Sequence, residues 1–209
     1  MKLHVFPPSP NSRKVLVVNS HLGLDLPLEM VNLATGEQYA PGFVALNPNA
    51  KVPVLEYADG STLWESNAIM ARLCAETDTA LWPKSDNRYD ILRWQYWETA
   101  HWTPALSPFI SRHIFGQMDA DLDTATTQAA KFGTVLDTHL AGRNWLVGDG
   151  VTLADISVAC ILSLRAQCHY PLDGFSNIQR WIAAVEALPA WQSAEGIVQA
   201  TLAKVQAAS

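Results

Sequence analysis

The hydrophobic periodicity of this chain changes once, near residue 80, and that change limits the folds open to it. Before that point, short strand-like apolar runs alternate with stretches of helical spacing. After it, helical spacing continues almost to the end of the 209 residues. Tryptophan divides at the same point, because only one of the eight tryptophans lies in residues 1–80. We therefore predict an α/β domain at 1–78, a linker at 79–85 and an all-α domain at 86–209.

The first part of the chain has the pattern of a small mixed sheet with helices. Asp59-Gly60 lies between two strand-like runs, and Asp-Gly in that setting is a strong signal for an antiparallel hairpin. The strand–helix–strand unit that opens the chain instead requires a right-handed crossover between parallel strands. The predicted strands are 2–6, 28–33, 53–57 and 62–64, and the predicted helices are 12–24 and 66–76, with a short helix between the second and third strands.

The second part of the chain predicts a bundle of about five helices. Its longest helical pattern contains Pro104 and Pro108, which we expect to kink or split it, because proline removes a helical hydrogen bond. The predicted helices are 87–115, 121–140, 152–168, 177–187 and 191–205.

Composition and charge exclude several classes of protein. A net charge of −6 argues against a surface that binds nucleic acid, and no apolar run approaches the length of a membrane span. The proline-broken start is unlike a signal peptide, so we expect a cytoplasmic protein. Three cysteines without a Cys-x-x-Cys pair are typical of buried residues in a reducing compartment. Neither they nor the six histidines have the spacing of metal ligands, so we expect no metal.

Val52-Pro53 stands at the start of the third predicted strand. A cis bond here would reverse the chain and turn the N–H and C=O of Val52 outward, where they could pair with an extended peptide. Proline also prevents further strand pairing at this point, which keeps the edge open. The alternative is an ordinary trans proline that opens a strand.

Glu65-Ser66 lies between the fourth strand and the following helix. The free N–H groups of a helix N-terminus, together with a serine hydroxyl, suit a carboxylate. Glu65 beside them can hold an ammonium group, so the pair fits the α-carboxylate and α-amine of an amino acid. The alternative is that Ser66 only caps its own helix.

Two motifs carry a resemblance to a known family. Asn47-Pro48-x-x-Lys51-Val52-Pro53 together with Glu65-Ser66-x-Ala68-Ile69 resembles the glutathione-binding signature of the soluble glutathione transferases. The run from Gly148 to Ile156 resembles the motif of that family's second domain. The resemblance implies a thioredoxin-like first domain followed by an all-helical domain. It also implies that glutathione is the co-substrate and that its contacts are Lys51, Val52, Pro53, Glu65 and Ser66, with Lys51 on the glycine carboxylate.

The residue that activates the thiol is less directly indicated. The family places a Tyr, Ser or Cys after the first strand, and this chain has Pro8-Ser9-Pro10-Asn11-Ser12 there, so the resemblance is to a serine-type bacterial member. Ser9 aligns best with the catalytic serine, Asn11 resembles a polar partner found in some bacterial members, and Ser12 is the runner-up. Asn11 or Ser12 can also simply cap the first helix. We expect Ser9 and Asn11 to act as hydrogen-bond donors to a thiolate.

Two features of the helical part have interpretations of their own. Thr152 and Asp155 stand at the N-cap and N3 positions of a helix, which predicts a capping box with a folding role only. Trp94, Trp97 and His101 form a stripe that favours core or subunit interface, although it could also form an apolar wall for a substrate with Phe109, Arg112 and Phe115.

The function implied is that of a glutathione transferase, a homodimer that detoxifies small hydrophobic electrophiles by attack of the glutathione thiolate. One alternative is a glutathione-dependent disulfide reductase or peroxidase on the same fold. Another is a non-enzymatic interaction protein that keeps the fold. No nucleic-acid or membrane partner is expected.

Overall fold

The computed structural model describes residues 1–207, and contacts within the chain divide it into two compact units. The first unit contains Met1–Thr79 together with the segment that starts at Leu188, and the second is Ala80–Ala187. The last helix therefore belongs to the unit that holds the sheet. The predicted bounds of 1–78 and 86–209 had assigned that helix to the helical domain.

The first unit is built on a four-stranded mixed sheet in the order β2-β1-β3-β4. β1 pairs parallel with β2, while β1 with β3 and β3 with β4 pair antiparallel, as predicted. The strands are β1 (Lys2–Val5), β2 (Leu28–Met30), β3 (Val54–Glu56) and β4 (Thr62–Trp64). The helices are α1 (Pro10–His21), α2 (Pro41–Leu46), α3 (Ser66–Cys74) and the final helix α10 (Pro189–Ala207), with a 3₁₀ turn at Glu37–Tyr39.

The core of the first unit lies between the sheet and helices α1 and α3. Leu3, Val5 and Leu55 from the strands are fully buried, as are Val15 on α1 and Ile69 on α3. Apolar residues of this kind stabilise the native state because their burial removes hydrocarbon from water. The thioredoxin-like architecture implied by the sequence is confirmed.

The second unit contains only helices. They are α4 (Asn87–Trp97), α5 (Thr103–His113), α6 (Leu122–Leu140), α7 (Leu153–Cys160), α8 (Arg165–Cys168) and α9 (Ser176–Glu186). The predicted helix 152–168 is divided by a 3₁₀ segment at Ile161–Leu164. The core of the second unit includes four fully buried side chains, those of Trp102, Leu106, Leu136 and Trp181.

The predicted helix 87–115 is interrupted, but one turn before the first proline. A π-helical turn at Glu98–Trp102 joins α4 to α5, Pro104 lies in the first turn of α5, and Pro108 lies inside α5. Pro104 lacks the N–H that an α-helix would direct to residue 100, so the wider turn forms just before it. The buried Glu98 at its start accepts a hydrogen bond from Ser157 on α7 at 3.2 Å.

None of the helices in residues 1–207 combines the length and hydrophobicity that a membrane span needs.

Candidate functional site

The turn that precedes β3 adopts one of the two geometries that the sequence left open. The Val52–Pro53 peptide bond is cis. Asn47, only 2% exposed, shapes the loop before it: its Nδ2 donates to the Lys51 carbonyl at 2.7 Å, and its Oδ1 accepts from the Asn49 N–H at 3.0 Å. Asn47 is the first residue of the sequence motif that contains Val52-Pro53, but the motif alone did not indicate its role. The Asn-x-Asn spacing, which is typical of side chains that bond the backbone two residues on, was the available signal.

The side chain of Val52 is buried, while its backbone groups are left without a partner in residues 1–207. The side chain is buried in a cluster with Val31, Phe43 and Val54. Its N–H and C=O make no hydrogen bond within residues 1–207. The Lys51 side chain next to it is exposed and forms no ion pair with the described part of the chain. The turn before β3 therefore has a backbone donor, a backbone acceptor and a cation that make no bond within residues 1–207.

The N-terminus of α3 provides the second part of the site. Glu65 has the positive φ of 73°, its carbonyl accepts the first helical bond from Ile69 at 3.0 Å, and its side chain makes no cap. The Glu65 carboxylate is exposed and has no partner in residues 1–207. Ser66, the first helical residue, is buried. The N-terminus of α3, which has the positive end of the helix dipole and can attract an anion, thus lies beside the Glu65 carboxylate.

The N-terminus of α1 provides the third part. Ser9 is the N-cap residue, and its carbonyl accepts from the Arg13 N–H at 2.9 Å, but its hydroxyl caps nothing. Pro10 follows at the first helical position, where a missing N–H costs no hydrogen bond. The Ser9 hydroxyl is therefore available to a ligand at the positive end of a 12-residue helix.

A hydrogen bond joins the starts of α1 and α3. The Ser66 hydroxyl donates to Oδ1 of Asn11 at 3.3 Å, so two predicted site residues 55 positions apart are in contact. Asn11 itself is exposed. Ser12, the alternative thiol ligand, is 0% exposed, and its hydroxyl accepts from the Phe6 N–H at 3.2 Å. Ser12 is thus part of the fold rather than of the open surface.

Comparison with known proteins finds the same family in both parts of the chain. The family model described as the N-terminal domain of glutathione S-transferase matches residues 8–76, and that of the C-terminal domain matches residues 97–189. Glutathione S-transferase 3 of Zea mays is 33% identical over 205 residues, which cover 92% of this chain and 91% of that protein. The chain belongs to the glutathione S-transferase family. It is a glutathione transferase, as the sequence predicts.

Solved structures of other glutathione transferases have the same fold. One from Burkholderia graminis, with two glutathione molecules bound per subunit, is 29% identical, covers 92% of this chain and 86% of its own, and has a TM-score of 0.79. Another from Pseudomonas putida, with one glutathione disulfide bound per subunit, is 26% identical and has a TM-score of 0.80. The match covers 92% of this chain and 91% of the Pseudomonas putida chain.

Helix α10 packs against α1 around the Arg13 side chain. The buried Arg13 guanidinium forms an ion pair with Glu195 and lies 5.4 Å from the Trp191 ring centre, so α10 contacts it at two points one helical turn apart. Burial raises the pKa of Glu195, but hydrogen bonds from Gln199 and Arg13 outweigh it and hold the pKa below its usual value. Sequence reasoning missed this pair, because its members are 182 residues apart.

The second family motif has the predicted folding role in this transferase. Thr152 and Asp155 form the capping box of α7, with the Thr152 N–H donating to Asp155 Oδ2 at 2.9 Å. The fully buried Asp155 also accepts from the Leu146 N–H at 2.8 Å and from Nε1 of Trp181 at 2.9 Å. Burial raises the pKa of Asp155, and these hydrogen bonds oppose the rise. The carboxylate thus joins three segments of the second unit.

Most of the aromatic stripe belongs to the core of the second unit. Trp94 and Phe109 are buried, and Trp97 packs between Trp94 and Trp102, with ring centres 5.0 and 5.7 Å away. His101, by contrast, is exposed and stacks on Phe132, beside an apolar groove of about 380 Å³. The core interpretation therefore holds for the tryptophans.

The cysteines do not contribute to this site. Cys74, Cys160 and Cys168 are all buried, and none of them forms a disulfide within residues 1–207. Burial raises the pKa of Cys74 to about 12 and also raises that of Cys168. In residues 1–207, no group of three or more His, Cys, Asp or Glu side chains is placed to hold a metal ion.

Proposed function

We propose that this chain is a serine-type glutathione transferase that activates glutathione as a thiolate for attack on small hydrophobic electrophiles. The observation that carries the proposal is the free Ser9 hydroxyl at the N-terminus of α1, two residues from an Asn11 that contacts Ser66. A hydroxyl, an amide and a helix N-terminus all favour the anionic form of a nearby sulfur.

The proposed contacts of glutathione follow its chemical groups. The γ-glutamyl carboxylate lies at the N-terminus of α3 with Ser66, and its ammonium group lies beside Glu65. The cysteinyl backbone pairs with the N–H and C=O of Val52, held in place by Pro53, as an added strand would. Lys51 meets the glycine carboxylate. Each group of the tripeptide then has a partner of opposite charge or complementary hydrogen bonding.

The thiol chemistry needs only hydrogen-bond donors. A cysteinyl thiol has a pKa of about 8.5 and is only a few per cent ionised at pH 7. Lowering that pKa by about two, which corresponds to about 2.7 kcal/mol, makes most of the bound glutathione thiolate. The proton leaves to solvent, the sulfur lone pair forms the new bond to carbon, and the leaving group departs with its bonding electrons.

The cell compartment and assembly belong to the same proposal. A cytoplasmic location fits three cysteines that form no disulfide within residues 1–207, because thiols stay reduced there. Assembly as a homodimer fits the two exposed tyrosines on α4, Tyr89 and Tyr96, which lie seven residues apart and so share one helix face. Sedimentation should give twice the chain mass, and a single chain mass would contradict the dimer.

A second candidate is reduction of disulfides or peroxides by glutathione. It is favoured by the related Pseudomonas putida structure, which holds a glutathione disulfide. In that reaction, the thiolate attacks a disulfide sulfur and releases a thiolate, and a second glutathione then resolves the mixed disulfide. No cysteine of the protein is required.

Retention on glutathione resin followed by turnover of two substrates tests these candidates. Turnover of a chloronitrobenzene supports conjugation, and turnover of hydroxyethyl disulfide alone supports reduction. A protein that does not bind the resin, or that turns over neither substrate, would contradict both candidate functions.

A further inference from the structure

Two buried side chains hold the start of α1, just after Ser9, in place. The Ser12 hydroxyl accepts from the Phe6 N–H at 3.2 Å, a neutral bond to a residue nearby in the chain. The Arg13 guanidinium instead forms an ion pair with Glu195, which is 182 residues away on α10. The end of α1 that we expect to bind the thiol therefore depends on one local contact and one remote contact.

We propose that Glu195 is a positioning residue for thiolate formation, because through Arg13 it holds the start of α1 where the Ser9 hydroxyl can donate to the sulfur. This inference rests on the proposed function, in which Ser9 donates to the glutathione thiolate. The bonds that Glu195 makes within residues 1–207 go to Arg13 and Gln199, and neither is a proposed contact of glutathione. Its effect on the thiol is therefore transmitted through α1.

Arg13 is linked to Ser9 through the backbone of the first helical turn. The Arg13 N–H donates to the Ser9 carbonyl at 2.9 Å, so the two residues are one turn apart. The Ser9 hydroxyl caps nothing, so its own side chain does not fix where Ser9 lies. A displacement of Arg13 is thus passed on to Ser9. A hydrogen bond from Ser9 to the sulfur would then weaken, because such bonds depend steeply on distance and angle.

The position of Arg13 depends in turn on its charged partner. The Arg13 side chain is almost fully buried, and an arginine does not lose its charge in a protein. Glu195 is its one acidic partner in the part of the chain that the structure describes, and the Trp191 ring centre lies 5.4 Å from the guanidinium. A buried cation without a counter-ion is strongly disfavoured. Loss of the Glu195 charge should therefore draw Arg13 toward water and move the start of α1 with it.

Glu195→Gln tests the proposal, because it keeps the size of the side chain and removes its charge. The variant is saturated with glutathione, and the apparent pKa of the bound thiol is read from thiolate ultraviolet absorbance. We expect that pKa to rise by about 0.5, which is less than the loss of a donor would cause. At a pH below it, the rate of conjugation should fall about three-fold. The KM for glutathione at that pH should hardly change, since the bound thiol is mostly protonated there.

The sign of the shift decides between three roles for the ion pair. A lower thiol pKa in Glu195→Gln would mean that the freed charge of Arg13 acts directly on the thiolate, and an unchanged pKa would mean that the pair only stabilises the fold. Either result would overturn the positioning role. Glu195→Asp keeps the charge on a shorter side chain and should give a smaller rise. If Glu195→Gln does not fold, a rise with Glu195→Asp supports the proposal and its absence overturns it.

A second ion pair between helices provides the matched control. Arg165 on α8 and Glu186 on α9 are joined in the second unit by two charge-assisted bonds, of 2.6 and 2.9 Å. Glu186→Gln should lower the urea midpoint of unfolding, as Glu195→Gln does, yet leave the thiol pKa unchanged. An equal rise in the thiol pKa with Glu186→Gln would attribute the effect to a general loss of stability and would also overturn the proposal.

The proposed function and this inference fail in different ways. If the wild-type complex shows no thiolate absorbance at neutral pH, the proposed function itself fails. If thiolate forms and Ser9→Ala raises its pKa while Glu195→Gln does not, only the positioning role of Glu195 is overturned.

Discussion

Ser9 and Ser12 are three residues apart but occupy different environments. Ser9 has a free hydroxyl at the helix start, whereas the Ser12 hydroxyl is buried against the Phe6 N–H. Ser9→Ala should therefore raise the apparent pKa of bound glutathione by about one, the worth of one hydrogen bond to an anion. The measurement is a titration of thiolate absorbance. Ser12→Ala should leave that pKa unchanged, and a shift with Ser12→Ala alone would move the thiol ligand to Ser12.

Lys51 gives a prediction that can be matched to one group of the ligand. Its exposed ammonium should attract the glycine carboxylate, so Lys51→Ala should raise the KM for glutathione about five-fold, as expected for a solvated ion pair. The value of kcat should not change. With glutathione whose glycine carboxylate is amidated, wild type and variant should have the same KM. A persistent difference would show that Lys51 acts elsewhere.

At the scale of elements, the first turns of α6 and α7 provide a comparison of one residue type in two settings, because an aspartate is the N-cap of α6 and another is the N3 residue of α7. Asp155 on α7 is fully buried and accepts from Leu146, Thr152 and Trp181, while Asp121 before α6 is exposed and accepts from the Thr124 N–H of its own helix at 2.9 Å. Asp155→Ala should cost about 3 kcal/mol of unfolding free energy, because it leaves buried donors unpaired. Asp121→Ala should cost about 1 kcal/mol. Urea unfolding measures both, and equal losses would contradict the bridging role of Asp155.

Elements with local signals were predictable from sequence, and contacts between elements were not. The Asp59-Gly60 hairpin, the Val52-Pro53 turn and the Thr152–Asp155 capping box each depend on residues close in the chain. The bonds from Ser66 to Asn11 and from Arg13 to Glu195 span 55 and 182 residues. No periodicity reports which distant side chains meet, so the coupling inside the candidate site required the folded structure. The two prolines indicated an interruption within 87–115, but the sequence did not indicate that it would be a π-helical turn at Glu98–Trp102, just before Pro104, with Pro108 remaining inside α5.

At the scale of the whole molecule, the burial of all three cysteines makes a prediction about reactivity. The thiolate is the reactive form, and burial raises the pKa of Cys74 to about 12. A thiol-specific disulfide reagent at mildly alkaline pH should therefore label the native chain only slowly. The urea-unfolded chain should react rapidly at all three cysteines, which supplies the control. Fast labelling of the native protein would contradict the burial of the cysteines. It would also show that the protein has a reactive thiol of its own for disulfide reduction.

The return of α10 to the first unit has a consequence for how the protein is made. A ribosome releases Ser9 and Asn11 early, but Glu195 and Trp191, which cover Arg13 of the same helix, emerge only after the whole helical unit has been synthesised. Domains fold as units during translation. The second unit, residues 80–187, can therefore be folded before the last helix of the first unit has been synthesised. A product that ends before residue 188 would retain the binding motif yet lack the Arg13–Glu195 ion pair, so we expect it to bind glutathione less well than a chain that includes α10.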